Sequence, residues 1–317
     1  MIVVTGGAGF IGSNLVRGLN ERGLRDILVV DELTNGKKLT NLRGLDFVDY
    51  MDKDEFLQHF LTKTNLPKIK TVFHQGACTD TLEWNGRYLM EVNYSYSKHL
   101  FHQCLALNIP FIYASSAAVY GHSRCFVESR ANENPLNMYG FSKFQFDQYV
   151  RSFSTIQSQV VGLRYFNVYG PGESQKANMA SVIFRLNTQL LEQGIIYLFA
   201  GSEGYADGEQ KRDFIYVTDV VAVNLWMFDN PSVSGIFNLG TGYAQTFNRV
   251  AQEIIKYHGR GTIEYISFPT DLRQTYQSYT QADISSLKQK GYDHDFIPID
   301  IGIPEYLNYL KKNNSLL

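Results

Sequence analysis

Four glycines between positions 6 and 12, set between an apolar stretch and an amphipathic one, limit what this chain can become. The β-branched run Ile2 to Val4 reads as a buried strand. From Ser13 to Arg22 the pattern places Leu15, Val16 and Leu19 on one helical face, and Gly23 ends it. Gly6 and Gly7 allow a tight turn, Gly9 admits a pyrophosphate close to the backbone, and Gly12 lets the helix pack on the strand. The helix N-terminus then faces the anion. A second strand, Asp26 to Val30, leads to Asp31, nineteen positions after Gly12 and close to the spacing of a ribose-binding carboxylate. Together these features predict an α/β fold, a doubly wound parallel sheet with its nucleotide corner at the start of the chain.

Length and charge narrow the partners. A chain of 317 residues suits one large domain, or a core domain with a smaller lobe. With 29 Lys and Arg against 31 Asp and Glu, the net charge of -2 offers no polyanion-binding surface, so nucleic acid is excluded as an expected partner. Cys78, Cys104 and Cys125 lack metal-ligand spacing, so no metal site is expected; they read as reduced thiols, mostly packed as small hydrophobes. No apolar run is long enough to cross a bilayer, and no basic region precedes an apolar segment at the start. A cytoplasmic protein without a membrane partner is the expectation.

Further along, the polar stretch Asp31 to Asn41 leaves the second strand where an adenosine ribose would lie. There Lys37 and Lys38 favour a 2′-phosphate, while Asp31 and Glu32 oppose one. A helix is expected over 54–62, and Lys70 to Ala77 reads as a strand ending in a small-residue turn at the ligand-binding edge of the sheet. A helix from Asn93 to Asn108 is closed by Pro110, and the strand Phe111 to Tyr113 runs into Ser115 and Ser116. Tyr139 and Lys143 then share a face of one helix, being four residues apart. A free phenol, with a pKa of about 10, is a poor base. A nearby ammonium favours the phenolate and makes such a tyrosine usable for proton transfer with a hydroxyl. Phe214 to Val217 reads as a strand returning to the core, with Asp219 as a cap for the next helix. No repeat or low-complexity tract is evident, and Lys311 to Leu317 reads as a frayed end.

Thr5-Gly-Gly-Ala-Gly-Phe-Ile-Gly12, Ser115-Ser-Ala-Ala-Val-Tyr-Gly121 and Tyr139-x-x-x-Lys143, in that order, resemble the extended short-chain dehydrogenase/reductases. So do Arg164-Tyr-Phe-Asn-Val-Tyr-Gly-Pro171, Arg212-Asp-Phe-Ile-Tyr-Val-Thr-Asp-Val220 and Phe237-Asn-Leu-Gly-Thr-Gly242. The resemblance implies a Rossmann domain over 1–171, with 212–242 returning to it, and a smaller substrate-binding lobe from 172–211 and 243–317. It implies Ser116, Tyr139 and Lys143 as the catalytic serine, tyrosine and lysine. Dehydratases of this family carry an Asp-Glu pair after the serine position; here Ala117 and Ala118 stand there, which argues for an epimerase or reductase. Gln75-Gly-Ala-Cys78, Glu83-Trp-Asn-Gly86, Lys176-Ala-Asn-Met-Ala-Ser-Val182, Leu186-Asn-Thr-Gln-Leu190 and Tyr276-Gln-Ser-Tyr-Thr-Gln-Ala-Asp283 are similar to the branch that epimerises C6″ of an ADP-linked heptose for lipopolysaccharide.

By that resemblance the cofactor is NADP, with NAD possible. It is expected against Gly6, Gly9, Phe10, Ile11, Gly12, Asp31, Glu32, Lys38, Lys53, Gln75, Gly76, Ala77, Cys78, Thr79, Asn93, Tyr139, Lys143 and Val168. The nucleotide sugar is expected against Asn167, Asn178, Arg185, Phe199, Ala200, Gly201, Ser202, Arg212 and Tyr276, with Lys176 as a second acid/base. The branch also implies a homo-oligomer, a pentamer. Glu32, Arg185 and Asn178 depart from the residues expected in the branch (asparagine, histidine and serine), and Asp207 to Gln210 lengthens the loop before Arg212. The same-fold alternatives are a UDP-hexose 4-epimerase or a keto-sugar reductase. A non-catalytic NAD(P) sensor is a more distant one.

Overall fold

The computed structural model describes residues 1–64, 66–269 and 276–314, apart from the side chains at 177, 178 and 314. Its strands, in chain order, are β1 Ile2–Thr5, β2 Ile27–Asp31, β3 Asp49–Asp52, β4 Thr71–His74, β5 Phe111–Ser116 and β6 Val160–Tyr165. After these come β7 Asn167–Tyr169, β8 Ile195–Phe199, β9 Lys211–Tyr216, β10 Gly235–Leu239, β11 Ala244–Thr246 and β12 Thr262–Ile266. Seven strands form one parallel sheet in the order β10-β6-β5-β4-β1-β2-β3. Chain order reverses between β1 and β4, which opens a crevice at the carboxyl ends of those strands.

Strands covered on both faces read as near-continuous apolar runs, and β1 and β2, apolar up to Thr5 and Asp31 at their carboxyl ends, are buried along their whole length. Successive side chains of β1 part to opposite faces: Ile2 and Val4 join Leu15, Val16 and Val221, while Val3 joins Phe56, Phe101 and Phe111. A third apolar cluster lies in the rest of the chain. There Leu186, Ile254 and Leu307 join the helices Val182–Gln193, Phe247–His258 and Ile299–Asn314, beside the parallel pair β8 and β12. None of the described helices is long and apolar enough to cross a membrane.

Several elements differ from the sequence expectation. The first helix runs Phe10–Glu21, starting three residues earlier than expected, because Gly9 takes an extended backbone and serves as its N-cap. β4 ends at His74, although the Gln75 amide still donates to the Thr5 carbonyl at 3.0 Å, and β5 continues to Ser116. A π-helical segment, Met90–Ser95, precedes the helix Tyr96–Leu107, where one uniform helix is expected. β9 does not rejoin the main sheet; it pairs with β7 and β11 in a three-stranded sheet, and β10 is the strand that returns. Asp219 does not cap its own helix, Val217–Asp229, whose N-cap is Tyr216; its carboxylate instead accepts from the Ile297 amide at 2.8 Å. Of the three cysteines, Cys104 alone is buried, while Cys78 is half-buried and Cys125 exposed.

Candidate active site

The glycine corner leaves no room for side chains. Gly6 sits at φ +67°, and a Cβ there would lie 2.6 Å from the Gly76 amide; at Gly12 it would lie 2.1 Å from the Gly6 carbonyl. No side chain caps the helix that starts at Phe10, which leaves its first amides for an anion. This bare, close-packed corner fits a dinucleotide pyrophosphate. Asp31 is buried against it. One oxygen, Oδ2, accepts from the Ala8 amide at 2.8 Å; the other, Oδ1, accepts from the Glu32 amide at 2.7 Å and from Lys38 Nζ at 2.9 Å. Asp31 therefore braces the glycine loop and neutralises Lys38, which also donates to the Glu32 carbonyl at 2.7 Å. The hydrogen bond from Thr34 holds the Glu32 carboxyl below its ordinary range, despite partial burial. Lys53 is paired with Asp54 at 2.8 Å.

Across the switch point, the Gly76 amide donates to Thr5 Oγ1 at 3.3 Å, and Tyr165 donates to Gln75 Oε1 at 2.8 Å. Asn93, inside the π segment, clamps the backbone of Cys78, accepting from its amide at 2.8 Å and donating to its carbonyl at 2.9 Å. Gln75, Ala77 and Thr79 line a cavity of about 610 Å³ that opens at this edge, as do Phe10, Ile11 and Val168. Gly76, Cys78, Asn93, Asp31, Glu32, Lys38 and Lys53 lie outside its walls.

Ser116, Tyr139 and Lys143 all line this cavity. Asn137 caps the helix Met138–Arg151, accepting from the Gly140 amide at 2.8 Å, and so sets Tyr139 in its first turn. Ser116 Oγ accepts from the Ala118 amide at 3.1 Å. Burial pushes the Tyr139 phenol above its ordinary pKa, and its hydrogen bond with Ser116 pulls it back. The expected lowering by the Lys143 ammonium does not prevail: the phenol stands above its ordinary range. The lysine donates to the Ala114 carbonyl at 2.9 Å, and burial brings its pKa down to about 8.

The remaining walls carry the substrate candidates. Lys176 lies in the 3₁₀ turn Ser174–Met179, with Nζ 5.7 Å from the Phe10 ring centre, and burial lowers its pKa. This is no solvated loop lysine. Arg185, Asn167, Phe199, Arg212 and Tyr276 line the same cavity. The buried Arg212 guanidinium lies 4.7 Å from the Tyr276 ring centre and 5.7 Å from that of Phe247, and donates to the Lys211 carbonyl at 3.1 Å. No carboxylate forms an ion pair with it among the described residues. The two rings and the Lys211 carbonyl offset part of the cost of burying this cation, which makes Arg212 a candidate for holding an anion.

Ala200, Gly201 and Ser202 do not reach the cavity, because the lengthened loop folds onto them. Asp207 accepts from the Gly201 amide at 2.7 Å, and Gln210 donates to the Ala200 carbonyl at 3.0 Å and to Ser202 Oγ at 3.1 Å. The Asn178 side chain lies outside the described part. Sequence reasoning missed Asn137, Gln189, Tyr197 and Phe247, which also line the cavity. An Asn two residues before Tyr139 is a legible cap signal; the other three carry none.

A glycine corner at a topological switch point, beside a cavity that Phe10 and Ile11 line together with Ser116, Tyr139, Lys143 and the buried Arg212, is the arrangement of a dinucleotide-binding enzyme. The chain belongs to the NAD dependent epimerase/dehydratase family, whose model matches residues 2–240. It is 54% identical over 309 residues, 97% of each chain, to the ADP-L-glycero-D-manno-heptose-6-epimerase of Alkalilimnicola ehrlichii. The Helicobacter pylori ADP-L-glycero-D-manno-heptose-6-epimerase structure superposes with a TM-score of 0.84 at 32% identity, over 98% of this chain and 96% of that one. The UDP-glucose 4-epimerase of Thermotoga maritima gives 0.82 at 26% identity, over 99% of each chain.

Proposed function

We propose that this enzyme inverts C6″ of ADP-D-glycero-D-manno-heptose, giving the L-glycero epimer, by transient oxidation to a ketone. The observation that supports the reading is that Tyr139 and Lys176, two side chains that can carry a proton, line one cavity. C6″ has no neighbouring carbonyl, so its hydrogen is not acidic and no side chain removes it as a proton. A nicotinamide cofactor, held beside Phe10, Ile11 and Val168, would supply a reversible hydride acceptor for that hydrogen. The chain's own work is proton transfer and orientation. Tyr139 exchanges a proton with the hydroxyl in one orientation, with Ser116 as hydrogen-bond partner and Lys143 as electrostatic support. Rotation of the exocyclic carbon then presents the other face, and Lys176 handles the proton there. The pairing of Ala117 and Ala118 at the dehydratase acid/base positions removes loss of water as an outcome.

Arg212, Arg185 and Tyr276 hold the diphosphate and nucleoside end in this reading. NADP is the proposed coenzyme, because the Asp31–Lys38 pair cancels the charge that would repel a 2′-phosphate. The reading carries with it a cytoplasmic place in lipopolysaccharide assembly and a homo-oligomer, as a pentamer. The deciding experiment supplies ADP-D-glycero-D-manno-heptose, UDP-glucose and UDP-galactose separately and identifies products by NMR. Conversion of the ADP-heptose at C6″ is expected; turnover of the UDP-hexoses alone would replace this reading with the 4-epimerase one.

A further inference from the structure

Between β7 and the helix Val182–Gln193 runs the segment 170–181, which carries Lys176 to the cavity. Beneath it lies a carboxylate that the chemistry above does not use. Glu173 is 1% exposed, and a carboxylate so deeply buried needs a full set of donors. It has them at both ends of the segment. Its oxygens accept from the Gly170 amide at 3.1 Å, from Ser181 Oγ at 2.8 Å and from the Ser181 amide. Its own carbonyl accepts from the Lys176 amide at 2.9 Å. Ser181 in turn caps the following helix, accepting from the Phe184 amide at 3.2 Å. From the other side, the terminal helix brings the Tyr306 phenol beside the carboxylate.

We propose that Glu173 is the positioning residue for Lys176: one buried carboxylate ties the two ends of the segment together and sets the lysine at the cavity wall. Three donors converge on its two oxygens, an arrangement that glutamine cannot copy, because its amide nitrogen would meet an N–H. The charge has a second use. Burial disfavours the Lys176 ammonium, and Glu173 opposes that effect. The carboxyl itself is pushed up by burial and pulled back by its donors. Among the described residues, the charged and titratable groups around it are Lys176 on its own segment and Tyr306 on the terminal helix. Removing the negative charge therefore lowers the pKa of Lys176. The inference rests on the role given above to Lys176; of its readouts, kcat depends on that role, while the titration and exchange readouts do not.

The test uses the full-length holoenzyme labelled with ¹³C at the lysine ε carbons, with Lys176→Met assigning the Lys176 signal. In Glu173→Gln the Lys176 titration midpoint should fall by roughly half a pH unit or more. Epimerisation kcat should fall at least tenfold, with affinity for ADP within threefold of wild type. Glu173→Asp keeps the charge on a shorter arm: exchange protection at the Gly170 and Ser181 amides should weaken and kcat should fall, while the midpoint stays put. Should the glutamine variant not fold, the aspartate variant decides alone. An unmoved midpoint in Glu173→Gln, or unchanged kcat and protection in Glu173→Asp, overturns the proposal. If Lys176→Met epimerises normally, the role of Lys176 fails instead, and the titration and exchange results show separately whether Glu173 holds the segment.

Discussion

Asp147 lies one helical turn beyond Lys143 on a buried face of the helix Met138–Arg151, and its charge works against the desolvation of that lysine. The carboxylate is held by Tyr113 at 3.0 Å, Ser115 at 2.9 Å and Arg164 Nε at 2.9 Å. Arg164, itself fully buried, also pairs with Glu133 at 2.6 Å. Tyr139, Lys143 and Asp147 thus form one row at a spacing of four residues, running from the cavity into a closed ionic network.

That row sets a pH dependence. Lys143 loses its ammonium around pH 8, so kcat/KM should fall on the alkaline side with a midpoint near there. Asp147 favours the charged lysine. Asp147→Asn must then move the alkaline limb to lower pH, by about one unit. A pH profile measured on both proteins checks this; a limb that stays in place would mean Lys143 does not govern it.

Tyr139→Phe removes one oxygen and leaves the ring in its helix. Coenzyme affinity should stay within a few-fold of wild type while epimerisation falls by at least a hundredfold, the ordinary worth of a positioned acid/base. Activity within tenfold of wild type would reject Tyr139 as the principal proton-transfer group.

Coenzyme choice turns on Lys38, whose ammonium is shared between Asp31 Oδ1 and the Glu32 carbonyl. Lys38→Ala uncovers two carboxylates where a 2′-phosphate would lie. Affinity for NADP should drop at least tenfold and affinity for NAD should change little, as titration calorimetry with each coenzyme would read. A wild-type preference for NAD, untouched by the substitution, would overturn the choice of NADP.

The elements around the glycine corner were legible because local rules and the fold agree there: β-branched strands, a glycine turn, and a helix with one apolar face. Tyr139 and Lys143 were legible by their spacing. Asp147 continues that spacing and could have been found with them, but nothing local marks it as buried. Arg164, Glu133 and Glu173 were hidden for a better reason. In sequence a charged residue reads as surface, and only long-range partners, such as Arg164 with Glu133 thirty-one positions away, make its burial tolerable. The placement of β9 failed for a similar reason: its apolar run reports burial, not which sheet receives it.

The oxidation route itself has a label test. If hydride leaves C6″ and returns to the same carbon, that hydrogen never becomes a solvent proton. Product formed in deuterium oxide should therefore carry no deuterium at C6″, as ¹H NMR would read directly; deuterium at that carbon would mean deprotonation, and the hydride account would fall. The same scheme needs a proton donor for each hydroxyl orientation, and Lys176 is assigned one of them. Lys176→Met keeps the length and apolar stem of the side chain but carries no proton. Packing against Phe10 should survive, so the fold should too. Epimerisation should fall by at least a hundredfold, while an aldehyde analogue processed in the single sense served by Tyr139 should still turn over. A methionine variant that epimerises normally would return Lys176 to a packing role and leave Tyr139 or a water to serve both faces.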